Sequence, residues 1–244
     1  MSPKARYLFA GDRAVVIEFG NKISKEINTL VRKLYQCISK AHIEGVEEYV
    51  PTYRSLIVYY NPLKITPKIL LEKLRKLENS ITEITLPKAL ITEIPTLYGG
   101  EYGPDLEFVA HYNNLTVKEV IKIHSEKEYF IYMLGFLPGF VYLGGMSEKI
   151  ATPRLEKPRL KVWESSVGIA AKQTGIYPID SPGGWQIIGR TPVKIYDHRK
   201  EFPILLKSGD YIKFFPISRK QYEDIKKKVD RGDYSCQVRT YEGI

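Results

Sequence analysis

The chain has 244 residues, 43% of them hydrophobic and 27% charged, and its 37 Lys and Arg against 28 Asp and Glu leave a net charge of +9. That length fits one large domain or two small ones with a real core. The composition excludes wholesale disorder and collagen-like repeats.

The basic residues are spread along the sequence. The one dense run, Lys226-Lys227-Lys228, reads as the solvated face of a C-terminal helix. With no RNA- or DNA-binding signature, no nucleic-acid partner is expected, and a positive field suits small anionic substrates equally well. No apolar run approaches the roughly 20 residues of a membrane span. The N-terminus leads directly into a strand pattern without a signal-type apolar region, so a cytoplasmic protein with no membrane association is expected.

In chain order, residues 5–19 alternate around Gly11-Asp12 and predict two short strands joined by a turn. Ser24 is a good N-cap for a helix whose apolar positions are Ile27, Leu30, Val31, Leu34 and Ile38, ending near Gly45. Two strand-like runs follow in residues 46–60. Thr66-Pro67 then opens a second helix with a cap and an N1 proline. Strands, helix, strands, helix describe a small α+β domain of ferredoxin-like type over residues 1–92.

Residues 81–97 read as strand broken at Pro87 and Pro95, with a domain junction there. Beyond the glycine-rich loop Tyr98–Leu106, one short helix starts at Pro104. A second starts at Thr116 with a capping box to Glu119. From residue 129 to about 217 short strands alternate with Gly/Pro turns, including Val167–Ala171, Trp185–Ile188, Val193–Tyr196 and Tyr211–Phe215. That texture predicts a closed barrel or sandwich over residues 93–244, ending in a helix at about Arg219–Val229.

The two cysteines, Cys37 and Cys236, form neither a zinc set nor a redox pair, and the four scattered histidines lack metal-ligand spacing, so no metal site is expected. There is no Walker A motif. The chemistry-bearing signal is instead the density of polar-flanked turns from 135 to 192. These are Gly135–Phe140, Gln173-Thr174-Gly175-Ile176-Tyr177-Pro178, Ser181-Pro182-Gly183-Gly184-Trp185 and Gly189-Arg190. Glycine turns let backbone approach a ligand and can form anion nests. Gln173, Thr174, Ser181 and Arg190 add side-chain donors. The bland alternative is a set of tight barrel turns with Tyr177 and Trp185 in the core. His124 is the acid/base candidate by its neutral-range pKa, or else a helix C-terminal cap. Glu101 and Asp105 read either as paired carboxylates or as a loop residue and a helix-start residue.

These blocks, taken together and in this order, resemble the KipI / allophanate hydrolase subunit 1 family. The resemblance runs from Gly11-Asp12-Arg13-Ala14 through Tyr98–Leu106, Met133–Phe140, Ala151-Thr152-Pro153-Arg154 and Gln173–Pro178 to Ser181–Trp185 and Gly189–Pro192. It implies a small α+β domain followed by a cyclophilin-like β-barrel. It also implies the B component of an ATP-dependent 5-oxoprolinase, with the C and A subunits as partners, 5-oxoproline as substrate and ATP, with Mg2+, as co-substrate. On that footing His124, Gln173 and Arg190 are the expected catalytic residues. Thr174, Gly175, Tyr177, Ser181, Pro182, Gly183, Gly184 and Trp185 are the expected substrate- or nucleotide-binding residues. The family also contains a histidine-kinase inhibitor and urea amidolyase components, which are the alternatives, and homo-oligomerisation is left open. The chain departs from the family pattern at Val162-Trp163-Glu164-Ser165-Ser166-Val167, Val141 and Lys172, and Trp163 is expected to narrow the pocket.

Overall fold

The computed structural model describes residues 4–243. The chain divides into two compact units between Pro87 and Lys88. The boundary expected after residue 92 would cut a strand that belongs wholly to the second unit.

In the first unit, β1 (Arg6–Phe9) and β2 (Ala14–Glu18) form a hairpin around Gly11, which takes φ +68°. Ser24 accepts from the Ile27 amide at 3.2 Å and starts α1 (Lys25–Ala41). The helix stops four residues before Gly45, because His42 itself adopts the left-handed conformation at φ 43°. β3 (Val46–Pro51), β4 (Ser55–Tyr60) and α2 (Pro67–Asn79) complete the unit, with Thr66 capping α2 and Pro67 at its start.

The sheet is antiparallel in the order β1-β2-β4-β3. Its β2-α1-β3-β4-α2 run is the ferredoxin-like pattern, with the strand beside β2 supplied from the N-terminal side instead of following α2. Val15, Ile17, Leu56 and Val58 alternate onto one face and bury against Val31, Leu34, Leu70 and Leu74 of the helices. Cys37 lies in this core, where burial pushes its thiol up. Glu18 ends β2 as a carboxylate gripped by both Arg6 and Arg54.

The second unit begins with β5 (Leu90–Tyr98), followed by α3 (Leu106–Tyr112) and α4 (Val117–Glu126). Then come β6 (Glu128–Leu134), β7 (Val141–Gly144), β8 (Arg159–Val162), β9 (Ser166–Ala170) and β10 (Gln173–Ile176). After these run β11 (Ser181–Gly183), β12 (Gln186–Arg190), β13 (Tyr211–Pro216), α5 (Arg219–Arg231) and β14 (Val238–Thr240).

One sheet runs β10-β9-β12-β5-β13-β6-β7, with β14 added beside β5. Its end strands β7 and β10 lie side by side, so the sheet curls into a nearly closed, cyclophilin-like barrel. Gly175 marks that seam: a Cβ there would sit 3.2 Å from the Val141 carbonyl of β7 and 3.1 Å from the Trp185 ring. The barrel is filled by Ile94, Ile131, Val167, Ile169, Ile188 and Phe214, and Val109 and Val120 of the helices join this core. β8 and β11 form a separate two-stranded ribbon.

Two expectations change here. Pro95 does not break its strand. β14 pairs with β5 over Leu90–Thr92 and β12 over Leu97–Tyr98, so Pro95 falls between the two partners, where its missing N–H costs no ladder bond. Val193–Tyr196 is not a strand: its pairing is a single bridge between Tyr196 and Ile204.

Candidate functional site

Met133–Phe140, the segment around Arg154, and the β10–β12 turns converge on a cleft of about 250 Å³. Its floor is three rings, Phe140, Tyr177 and Trp185, in edge-to-face contact with centroids 5.5, 5.5 and 6.2 Å apart. Such contacts lock ring orientation and leave ring faces and edges as ligand surface. One wall is the turn Pro182-Gly183-Gly184, and the other is Leu155 and Pro158. At the rim stand Phe136, Tyr142 and Arg154.

The floor is held by close approaches that only particular residues allow. A Cβ on Gly183 would run into the Tyr177 hydroxyl and lie 2.8 Å from its ring carbon. Phe136 sits at φ 66°, 70% exposed, with its ring edge-on to Phe140 at 5.7 Å. An aromatic residue in the left-handed region is uncommon and marks a segment held in place by its surroundings.

Behind Trp185 stands an ion pair. Arg159 donates to Asp105 Oδ1 at 2.6 Å and to the Trp185 carbonyl at 3.2 Å. Asp105 Oδ2 accepts from the Ile187 amide at 2.6 Å, and the Asp105 amide donates to the Ile187 carbonyl at 2.9 Å. Asp105 therefore pairs with Arg159 rather than Glu101, which meets Arg219 at 3.0 Å.

The expected binding residues Tyr177, Pro182, Gly183, Gly184 and Trp185 all line the cleft. Gly175 lies beneath the Trp185 ring. Ser181 is buried, and its hydroxyl has no hydrogen-bond partner among the described residues.

The three expected catalytic residues are not brought together, and none lines the cleft. Gln173 opens β10 opposite Ala170, and Arg190 on β12 donates from Nε to the Glu164 carbonyl at 2.9 Å. His124 is fully buried in the barrel. Its Nδ1 meets the Tyr98 hydroxyl at 2.7 Å and its Nε2 the Thr174 hydroxyl at 2.8 Å. Thr174 spends its own proton on the Gly168 carbonyl at 3.0 Å, so it accepts from Nε2–H, and Nδ1 accepts from Tyr98. Desolvation pushes the imidazole down to about 3 and the Tyr98 phenol well up, so both stay neutral. The expected acid/base role fails in this placement, because a sealed, doubly bonded imidazole has no path to a ligand.

Trp163 does not narrow the cleft. The residue is 54% exposed, and its ring lies under the Lys161 ammonium at 3.7 Å. Lys172 pairs with Glu148 at 2.6 Å on the surface.

Sequence reasoning missed Arg154 and Arg159 as site residues, and it weighed Asp105 with Glu101 or as a helix-start residue and not with Arg159. Arg154 and Asp105 lie inside blocks that carry the family resemblance, but a lone Arg after Pro shows no spacing signal, and no local pattern links Asp105 to a residue 54 positions on. The cleft does not fit a nucleoside triphosphate: its volume falls below the roughly 300–1,000 Å³ of drug-sized ligand pockets, and its lining offers a triphosphate one cation. No group of three His, Cys, Asp or Glu suited to a metal occurs among the described residues. No helix among them is long and apolar enough to cross a membrane.

The family model for the carboxyltransferase domain, subdomain C and D, matches residues 5–206. A Bacillus subtilis protein named as the B component of 5-oxoprolinase is 43% identical over 89% of this chain and 95% of its own length. A Pyrococcus horikoshii crystal structure, described as a conserved uncharacterized protein, is 52% identical. It covers 89% of this chain and all of its own, with a TM-score of 0.53. The Kluyveromyces lactis urea carboxylase structure shares the fold at TM-score 0.77 and 23% identity, over 98% of this chain and 24% of that one.

Proposed function

The chain belongs to the carboxyltransferase subdomain C and D family, in its KipI / allophanate hydrolase subunit 1 group, and from that premise we propose that it is the B component of an ATP-dependent 5-oxoprolinase. It acts in the cytoplasm with the A and C subunits, and it is inactive without them. The observation that carries this reading is the 43% identity with a protein of that name over 95% of that protein's length.

The chemistry gives the complex its need for ATP. An unstrained lactam is a poor electrophile. Phosphoryl transfer from ATP to the lactam oxygen makes that oxygen a leaving group. Water then adds at the carbonyl carbon, and the ring C–N bond breaks to open the lactam as an acyl phosphate, with ADP already formed. A second water hydrolyses that acyl phosphate to glutamate and inorganic phosphate. Such steps depend on positioning and on donors aimed at developing charge. This chain's share is to hold the substrate ring in the aromatic cleft. Because the cleft does not fit the triphosphate, the nucleotide is held by the partner subunits or across their contact with this one.

The test is glutamate release from 5-oxoproline and ATP by the three components, with each left out in turn. The proposal expects activity that disappears when this chain is omitted. An assembled complex that turns over equally well without it refutes the reading. The likeness to a urea carboxylase offers a second reading, a biotin-dependent amidolyase component. Activity abolished by avidin would select that reading instead.

A further inference from the structure

The cleft carries one charged side chain, Arg154, among otherwise apolar, aromatic and glycine lining residues. That guanidinium makes no hydrogen bond or ion pair among the described residues. The neighbouring arginines are occupied: Arg159 is tied to Asp105 and the Trp185 carbonyl, and Arg190 to the Glu164 carbonyl.

The backbone around Arg154 is clamped on both sides. Thr152 exchanges amide bonds with Ala171 at 3.2 and 2.8 Å. The Pro153 carbonyl accepts from Gln186 Nε2 at 3.0 Å, and the Leu155 amide donates to the Gly184 carbonyl at 2.7 Å. A fixed backbone thus presents a free cation at the rim of a slot floored by three locked rings. Its field reaches the Tyr142 and Tyr177 hydroxyls. A small ring can pack on the aromatic floor, and a planar guanidinium among the lining residues suits a carboxylate bidentately.

We infer that Arg154 is the carboxylate anchor of this cleft, which selects a small cyclic amide bearing a carboxylate over the same ring without one. The inference rests on the reading of the cleft as the place where this chain meets its substrate. No bond is made or broken by Arg154: it is a specificity-determining residue.

The sequence has two tryptophans, so Trp163→Phe leaves Trp185, on the cleft floor, as the one indole reporter. The full-length Trp163→Phe chain is titrated, alone and assembled with the A and C subunits, with 5-oxoproline and with 2-pyrrolidinone, which lacks the carboxylate. The expected result is a saturable change in Trp185 emission, with 2-pyrrolidinone needing about 10- to 100-fold higher concentration, the range of a charge-assisted hydrogen bond. Adding Arg154→Met abolishes that preference, and Arg154→Lys restores part of it. Arg154 is exposed, so neither substitution disturbs the core.

Equal binding of the two ligands overturns the inference. So does a preference that survives Arg154→Met, or the absence of any response in both the free chain and the complex. Inorganic phosphate binding tighter than 5-oxoproline overturns the choice of carboxylate. The two readings fail separately. Arg154-dependent ring-carboxylate binding in a complex that makes no glutamate sinks the enzymatic proposal alone. Glutamate formation indifferent to Arg154→Met sinks this inference alone.

Discussion

Asp105 and Arg159, 54 residues apart in sequence, meet at 2.6 Å behind the cleft, and between them they hold the backbone on both sides of Gln186. Arg159 takes the Trp185 carbonyl while Asp105 takes the Ile187 amide. The pair thereby fixes where the Trp185 ring lies, although neither residue lines the cleft.

Asp105→Ala leaves both the Arg159 guanidinium and the Ile187 amide without this acceptor. Arg159 is partly buried and Asp105 largely so, with side chains 31% and 12% exposed. The expected cost is about 2–4 kcal/mol. Arg159→Met costs less, because Asp105 keeps its bond to the Ile187 amide. Urea denaturation checks this: the midpoint falls more for Asp105→Ala than for Arg159→Met, with the slope unchanged.

His124 makes stability depend on pH. Its folded-state pKa is pushed down to about 3 by burial, whereas the unfolded chain takes up that proton near 6.5. Between those values the unfolded state holds more protons, so stability falls as pH falls. This contribution is complete above the unfolded value and drains away at up to about 1.4 kcal/mol per pH unit until the folded value is reached. A His124→Gln variant lacks this slope. Its stability deficit relative to the parent should therefore narrow on acidification, and a deficit that stays constant from about pH 7 to about pH 4.5 contradicts the assignment.

Two glycines separate steric need from conformational need. A Cβ on Gly103 would enter the Ile188 carbonyl and lie 2.6 Å from the Gly99 nitrogen, both of them backbone atoms that cannot step aside. Gly11 takes φ +68° with nothing near its Cβ position. Gly11→Ala should cost only the left-handed penalty of about 1–2 kcal/mol. Gly103→Ala should cost more and disturb the register of β12. Thermal unfolding of the two variants tests the order, and equal midpoints would be the wrong result.

The helices were legible because their signals are local. Ser24, Thr66 and the Thr116–Glu119 box each announce a start within four residues, and each caps its helix as read. The barrel was legible from turn spacing. The Pro182-Gly183-Gly184 wall was legible because glycine and proline carry conformational meaning of their own. What was not legible is long-range. Pro95 looks like a break until its two flanking partner strands are known. His124 looks like a catalyst until Thr174, 50 residues away, is seen to hold its Nε2 inside the barrel. Arg154 gains meaning only from what is missing around it, namely a carboxylate, and no local pattern encodes that.

The central claim is that this chain serves a 5-oxoprolinase through its aromatic–arginine cleft. The most direct measurement is the KM for 5-oxoproline of complexes assembled with the parent chain and with Arg154→Met, each first shown to contain all three components. The account predicts that the substitution raises KM by about 10-fold or more while assembly is unchanged. An intact complex whose glutamate production is the same with either chain would contradict it.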